Sequence, residues 1–441
     1  MSIPDPSSAP IVADLLSGGL PLWIEPRPGP EILAARLVIR GGSGADPFDA
    51  RGAHQLLAGV MTRGCGDLDA EALADRIEGA GAGLRAEAQE DALVLGLKCA
   101  ADDATSLLPL MLRMVRRPVL AGDQVELERQ LNLQTLQRQR EDPFQLAHDG
   151  LRRLLYDDGP YGHDPLGVEE DLALMSVERL APLVDQLGQR GSVFVLCGDA
   201  PGGVRDLLER ELAQAPWVTA APTAAPCGPA PAPQQRIACL EEETEQLVLM
   251  LGSATVPLGD DDALPLQLLQ AHLGLGMSSR LFMTMREERG LAYDVGVHLP
   301  ARCGPAPWLM HLSTSAERAA EAAACLLDEW QRLLDIPLSE EEWNLALAKF
   351  RGQEAMGRQT CAQIAERRAL LLSHGLPADH VEHTLRRAAG LQGLDLQTAA
   401  RRSLGTPCLS LVGPAAAVAA ARRAWERHPL STQTTAPTGP G

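Results

Sequence analysis

Residues 52–64 read Gly52-Ala53-His54-Gln55-Leu56-Leu57-Ala58-Gly59-Val60-Met61-Thr62-Arg63-Gly64, an apolar helix run that closes on Arg-Gly. Upstream, strand-like segments at Leu22 to Glu25 and Ala34 to Arg40 lead into a loop, Gly41-Gly42-Ser43-Gly44-Ala45-Asp46-Pro47. Downstream come a strand segment from Ala86 to Cys99, a charged amphipathic helix from Gln124 to Arg140 and a further helix from Leu146 to Tyr156. The loop Pro160-Tyr161-Gly162-His163-Asp164-Pro165-Leu166-Gly167 follows, and an apolar strand into a Gly turn, Gly191 to Asp199, closes the series.

The same pattern then repeats. A Pro/Ala-rich stretch at 220–236, with Pro222, Pro226, Pro229, Pro231 and Pro233, reads as an extended, semi-rigid linker. Beyond it lie a strand at Gln246 to Gly252, a strand at Trp308 to Ser313, and helices at Ala316 to Leu334 and Ser339 to Gly357. Ser339 and Glu342 have capping-box spacing. A final strand, Cys408 to Val412, runs into Gly413-Pro414, as the first half ends in Gly198-Asp199. The expected fold class is therefore α+β, two homologous sheet-plus-helices domains at 1–219 and 237–441 joined by the 220–236 linker.

At 441 residues and 45% hydrophobic content the chain has ample material for two cores, though aromatics make up only 3%. The net charge is −19, and residues 1–220 hold 34 acidic against 20 basic side chains. That balance excludes nonspecific binding to nucleic acid or to anionic membranes, and reads as a solvated acidic surface or one suited to a basic peptide. Nine cysteines stand singly with no Cys-x-x-Cys pair, the usage of reduced thiols in a cytoplasmic protein. Neither a signal segment nor a membrane span is read.

In order and spacing these pieces resemble the pitrilysin/insulinase family of zinc peptidases (inverzincins), in its half-length form of paired subunits. The resemblance covers nearly the whole chain and implies the pitrilysin/mitochondrial-processing-peptidase type of domain. In active members a His-x-x-Glu-His helix supplies two zinc ligands and the general base, and a glutamate some seventy-odd residues on completes the coordination. Counted back from Gly64, the two histidines fall on Gln55 and Gly59 and the glutamate on Ala58. The downstream glutamate pair aligns with Gln134 and Thr135. No metal is expected in this chain, since catalytic zinc needs three protein ligands and an open position. His54 points from another helix face and does not stand in. His380 and His383 have the i, i+3 spacing of a metal pair but read as a solvated helix start, and His163-Asp164 as a loop-shaping turn.

The second half keeps Arg286-Glu287-Glu288-Arg289-Gly290-Leu291-Ala292-Tyr293, preceded by Gly274-Leu275-Gly276-Met277-Ser278-Ser279-Arg280-Leu281. The resemblance implies that Tyr293 donates to the developing oxyanion. It gives Arg286 the task of holding substrate carbonyls or positioning that tyrosine. On their own, the two residues also fit an exposed helix arginine and a half-buried strand tyrosine. Gly276, Ser278, Ser279 and Arg280 are read as substrate-binding, with a tight turn at the glycines as the simpler alternative.

The expected function is a non-catalytic, zinc-less subunit of a heterodimeric zinc endopeptidase. Its partner would carry His-x-x-Glu-His and the Zn²⁺, and its substrates would be short or unfolded peptides, such as a precursor or leader peptide in cofactor or modified-peptide maturation. The alternatives are a purely structural scaffold subunit and, at greater distance, a self-sufficient peptidase with an unrecognised metal site.

Overall fold

The computed structural model describes residues 12–223 and 232–433. Residues 224–231, inside the Pro/Ala-rich stretch, lie outside that description. The chain forms two compact units, and each draws on both halves of the sequence. The first unit takes residues 12–136, 164–223 and 355–380; the second takes 137–163, 232–354 and 381–433.

The first unit is built on a six-stranded sheet. Its strands are β1 (Val12–Leu15), β2 (Pro21–Pro26), β3 (Ile32–Arg40), β4 (Gly83–Ala88), β5 (Ala92–Ala100) and β6 (Ser192–Gly198), in the order β1-β2-β6-β3-β5-β4. Only β2 and β6 run parallel. Strand β3 is buried on both faces, so its side chains divide by parity. Leu33, Ala35, Leu37 and Ile39 join a core with Leu56, Leu57, Val60 and Met61 from helix Ala53–Met61, and with helix Ala104–Arg116. Ala34 and Val38 face the other way, with Val193, Val195 and Cys197 of β6, and meet Ala365 and Ala369 of helix Cys361–Ser373.

The second unit repeats the plan with five strands, β7 (Ile237–Glu241), β8 (Gln246–Ala254), β9 (Asp294–His298), β10 (Pro307–Ser315) and β11 (Cys408–Gly413), ordered β7-β11-β8-β10-β9. Leu247, Leu249 and Leu251 of β8 face a core that holds the edge-to-face pair Trp308 and Trp330. Val248 and Met250 face helix Pro143–Tyr156, through Ala147, Leu151 and Leu155. Each sheet is thus covered on one face by a helix from the opposite half of the chain. Both covering helices start sharply. Asp142 accepts from the Phe144 amide, with Pro143 in the first turn. Thr360 and Gln363 cap each other reciprocally. The Ser339–Glu342 box read in the sequence forms as well.

One reading needs correcting. Ala86 to Cys99 is two strands, because polar residues Gln89-Glu90-Asp91 make a hairpin turn between β4 and β5. The loop at 41–44 clasps that turn: the amides of Ser43, Gly44 and Gly41 donate to the carbonyls of Gln89 (2.9 Å), Glu90 (2.8 Å) and Asp91 (2.9 Å). Gly42 permits the approach, since a Cβ there would fall 2.0 Å from the Gln89 oxygen.

Two histidines of the second unit, His148 and His272, are held neutral by burial. Burial pushes His272 down to about 4. Burial, then the neighbouring Arg152, pushes His148 down to about 3. A histidine whose folded pKa lies below its unfolded value stabilises the fold fully above about 6.5, and that contribution is lost as pH falls toward the folded pKa. The folding free energy of the full chain, followed by thermal melting, is therefore expected to fall between about pH 6.5 and 4, by a few kcal/mol for each such group. His272→Gln, which cannot charge, should flatten that slope. An unchanged slope would show that His272 is not buried neutral.

Candidate functional site

Helix Ala53–Met61 is fixed at its start by one buried carboxylate. Asp46 accepts from the Gly52 amide (2.7 Å), the His54 amide (3.0 Å) and His54 Nδ1 (2.6 Å), which satisfies amides that the first helical turn leaves free. His54 is thereby turned to Asp46. Gly52, at φ 101°, lets the chain pass the 160–167 loop, since a Cβ there would sit 2.6 Å from the Leu166 oxygen. That loop shapes itself: Asp164 accepts from Leu166 and Gly167.

The three motif positions follow along the helix. Gln55 turns its Oε1 to the Ala88 amide on β4, at 2.8 Å. Ala58 is buried, and Gly59 is covered by Glu128. A Cβ at Gly59 would lie 2.6 Å from Glu128 Oε2. Glu128 is 8% exposed and is held by Arg63, whose Nε donates to Oε1 at 2.6 Å. The residue of helix Gly122–Gln139 that meets the motif helix is Glu128, and Gln134 is exposed to solvent. The buried positions of that helix, Val125, Glu128 and Asn132, follow a 3–4 spacing, which was the available signal. Asn132 is buried beside it, its Nδ2 without a hydrogen-bond partner among the described residues.

The second group of residues lies in the second unit. After helix Ala263–Gly274 the chain turns at Gly276 (φ 78°), where the Ser279 amide donates to the Gly276 carbonyl at 3.0 Å. Gly274 allows close approach to β9, with Val297 N 2.9 Å from a would-be Cβ. Met277 and Ser278 are exposed and Ser279 is buried. Arg280 commits its guanidinium to the buried Glu329, through Nε and through Nη2 at 2.9 Å. Burial works against that charge, but the Glu329 hydrogen bond and carboxylate outweigh it and raise the arginine's pKa. Arg280 therefore ties the motif to helix Ala319–Asp335 in place of reaching for a ligand, and the turn reading of the glycines fits the geometry.

Residues Phe282–Glu288 wind as a π-helix, a geometry often found at functional sites. It delivers Arg286 to Tyr293. Arg286 Nη1 donates to the Tyr293 carbonyl (3.1 Å), and its guanidinium lies over the rings of Phe282 (5.0 Å) and Tyr293 (5.7 Å). The Tyr293 amide donates to Ser313 on β10 at 3.2 Å, so its backbone is fixed on both sides. Yet the residue is 78% exposed. The result is a phenol standing in solvent on a fixed backbone, not a half-buried strand tyrosine.

A family profile described as Insulinase (Peptidase family M16) matches residues 24–167, and one described as Peptidase M16 inactive domain matches residues 188–350. The chain belongs to the insulinase, or M16, peptidase family. Its relatives include an uncharacterised zinc protease of Streptomyces coelicolor, 22% identical over 409 residues (90% of this chain, 88% of the relative). Another, from Mycobacterium bovis, is 25% identical over 406 residues (88% and 90%). Among solved structures, a peptidase M16 inactive domain from Pseudomonas fluorescens superposes with a TM-score of 0.84 at 22% identity, covering 92% of this chain and 98% of that one. No helix among the described residues is long and apolar enough to cross a membrane.

The family implies zinc, and the residues around helix Ala53–Met61 do not fit it. Zinc requires three protein donors with free lone pairs. Gln55 Oε1 is engaged by the Ala88 amide, Ala58 and Gly59 have no donor, and the Glu128 carboxylate is neutralised by Arg63.

Proposed function

We propose that this chain is the non-catalytic subunit of a two-chain zinc endopeptidase, supplying Tyr293 and Arg286 to an active site whose metal is held by a partner with an intact His-x-x-Glu-His. The observation that carries this reading is an asymmetry within one chain. The motif positions of the helix at 53–61 offer no free metal donor, while the Arg286–Tyr293 pair is intact, rigid and exposed. A packing role would bury the tyrosine. An exposed phenol held by its main chain is suited to donate a hydrogen bond to charge forming on a scissile carbonyl, a contribution of a few kcal/mol where water is excluded. Arg286 acts by fixing the Tyr293 backbone and ring. The substrates would be short or unfolded peptides, with a precursor or leader peptide as the natural case. The buried, unpaired thiols suit the cytoplasm.

The test is peptidase activity on a quenched, unstructured peptide library. This chain alone, a His-x-x-Glu-His homologue from the same genome alone, and the mixture would be compared, with zinc counted in each protein. Activity should emerge or rise strongly only in the mixture, with zinc confined to the homologue. A stable complex without activity would move the reading to a scaffold subunit, and one tight zinc per molecule of this chain would overturn it.

A further inference from the structure

The covered outer face of the first sheet and the helix that covers it carry one cysteine each. Strand β6 turns Val193, Val195 and Cys197 to that face, at two-residue steps of about 6.7 Å. Helix Cys361–Ser373 offers residues 361, 365 and 369 along one side, at four-residue steps of about 6 Å. The two rows therefore stay nearly in step, and Cys361, Ala365 and Ala369 all pack into the cluster that holds Cys197. Cys197 and Cys361 end their rows together, the two thiols in hydrogen-bonding reach of each other. The main chain beside Cys197 is equally near, since a Cβ at Gly198 would lie 3.4 Å from Cys361 Sγ.

The two thiols stand in different surroundings. Cys197 is fully buried, and burial, then the neighbouring Cys361, pushes its thiol well above the ordinary range. Cys361 is partly exposed, in the first turn of its helix. An oxidant arriving from solvent therefore meets Cys361 first. We propose that Cys197 and Cys361 form a peroxide-sensitive dithiol, closing to a disulfide that bolts the covering helix to β6. Hydrogen peroxide gives one oxygen to the Cys361 sulfur, forming the sulfenic acid and releasing water. The Cys197 sulfur then bonds to the Cys361 sulfur, the S–O bond breaks, and the hydroxyl leaves with the Cys197 thiol proton as a second water. The two thiols together give up two electrons and two protons, and the peroxide is reduced to water. Exchange with an added dithiol reverses the step. The bond has work to do here. The helix meets the sheet largely through Ala362, Ala365 and Ala369, and its ion pairs Arg36–Glu366 and Arg368–Glu25 are partly open to solvent. A link across it closes a loop of about 160 residues and keeps the roof on the first unit when its other contacts loosen.

The test treats the full chain with a small molar excess of hydrogen peroxide. The protein is then denatured, its remaining thiols are alkylated with iodoacetamide, and it is cut with trypsin for mass spectrometry. Peptides 191–205 and 359–367 should appear joined, two hydrogens lighter than the sum of their thiol forms, and separate again after dithiothreitol. The melting midpoint of the peroxide-treated wild type should rise by roughly 5–10 °C. Cys361→Ala, a small change at a partly exposed position, should melt near the reduced wild type and show no rise. Alkylation of both cysteines after peroxide would overturn the proposal. So would Cys361 recovered as its sulfinic acid with Cys197 alkylated, or an equal rise in Cys361→Ala. None of these readings involves turnover, so inactivity of the mixed subunits would count against the proposed function alone.

Discussion

Tyr293→Phe is expected to lower the turnover of the mixed peptidase about 100-fold while leaving subunit affinity unchanged. The substitution keeps the ring under the Arg286 guanidinium and the backbone bond from Arg286 Nη1, so only the phenolic hydroxyl is lost. Removing one oxyanion donor costs roughly 10²–10³ in kcat. Because the donor acts on charge that forms in the transition state, kcat should fall with little change in KM. Arg286→Lys is the companion. A lysine keeps the charge but not the planar fork that reaches the Tyr293 carbonyl from between two rings, so it should reproduce part of the same loss. Turnover unaffected by Tyr293→Phe in an active mixture would remove the tyrosine from the chemistry.

Gly59→Ala should leave the chain within about 1 kcal/mol of wild type, without the stabilisation usual for such a change. In a helix interior, alanine is favoured over glycine by roughly 1 kcal/mol. Here the new methyl would press on Glu128 Oε2 at 2.6 Å and on its Cδ at 3.1 Å. To make room, Glu128 must turn Oε2 aside while Arg63 keeps Oε1, a shift that costs about as much as the alanine gains, roughly 1 kcal/mol. The two effects offset. A double-mutant cycle separates them: with Glu128→Ala in place, Gly59→Ala should become stabilising. Denaturant unfolding that showed additive effects would mean Glu128 does not press on position 59. Gly59→His carries a larger load and should be worse, so rebuilding His-x-x-Glu-His in this chain requires moving the Glu128–Arg63 pair first.

Much of this was open to inspection in the sequence. The apolar run at 53–61, the repeat of strand and helix across the Pro/Ala-rich stretch, and the Arg286–Tyr293 spacing are local patterns, and local patterns survive without coordinates. Three features did not. The contact of Glu128 with the motif helix was one, because counting residues does not tell where two helices cross. The buried 3–4 face of Val125, Glu128 and Asn132 carried that information. The destination of helices Pro143–Tyr156 and Cys361–Ser373 was also hidden, since an apolar helix face reads the same whichever sheet it covers. Gln55 was legible as a lost ligand. Its bond to Ala88 was not, because that bond depends on the register of a hairpin first read as one strand.

The reciprocal loan of helices bears on how the chain is made. When residue 219 leaves the ribosome, Ala34, Val38, Val193 and Val195 form an uncovered apolar sheet face, and the helix that hides it begins only at Cys361. For about 140 residues of synthesis, some tens of seconds at most at ordinary elongation rates, the nascent chain presents that face to chaperones and to other chains. The first unit stays unfinished until its roof, encoded beyond most of the second unit's strands, has been made. Cutting the gene in its middle would therefore yield two unfinished pieces that each hold the other's missing part.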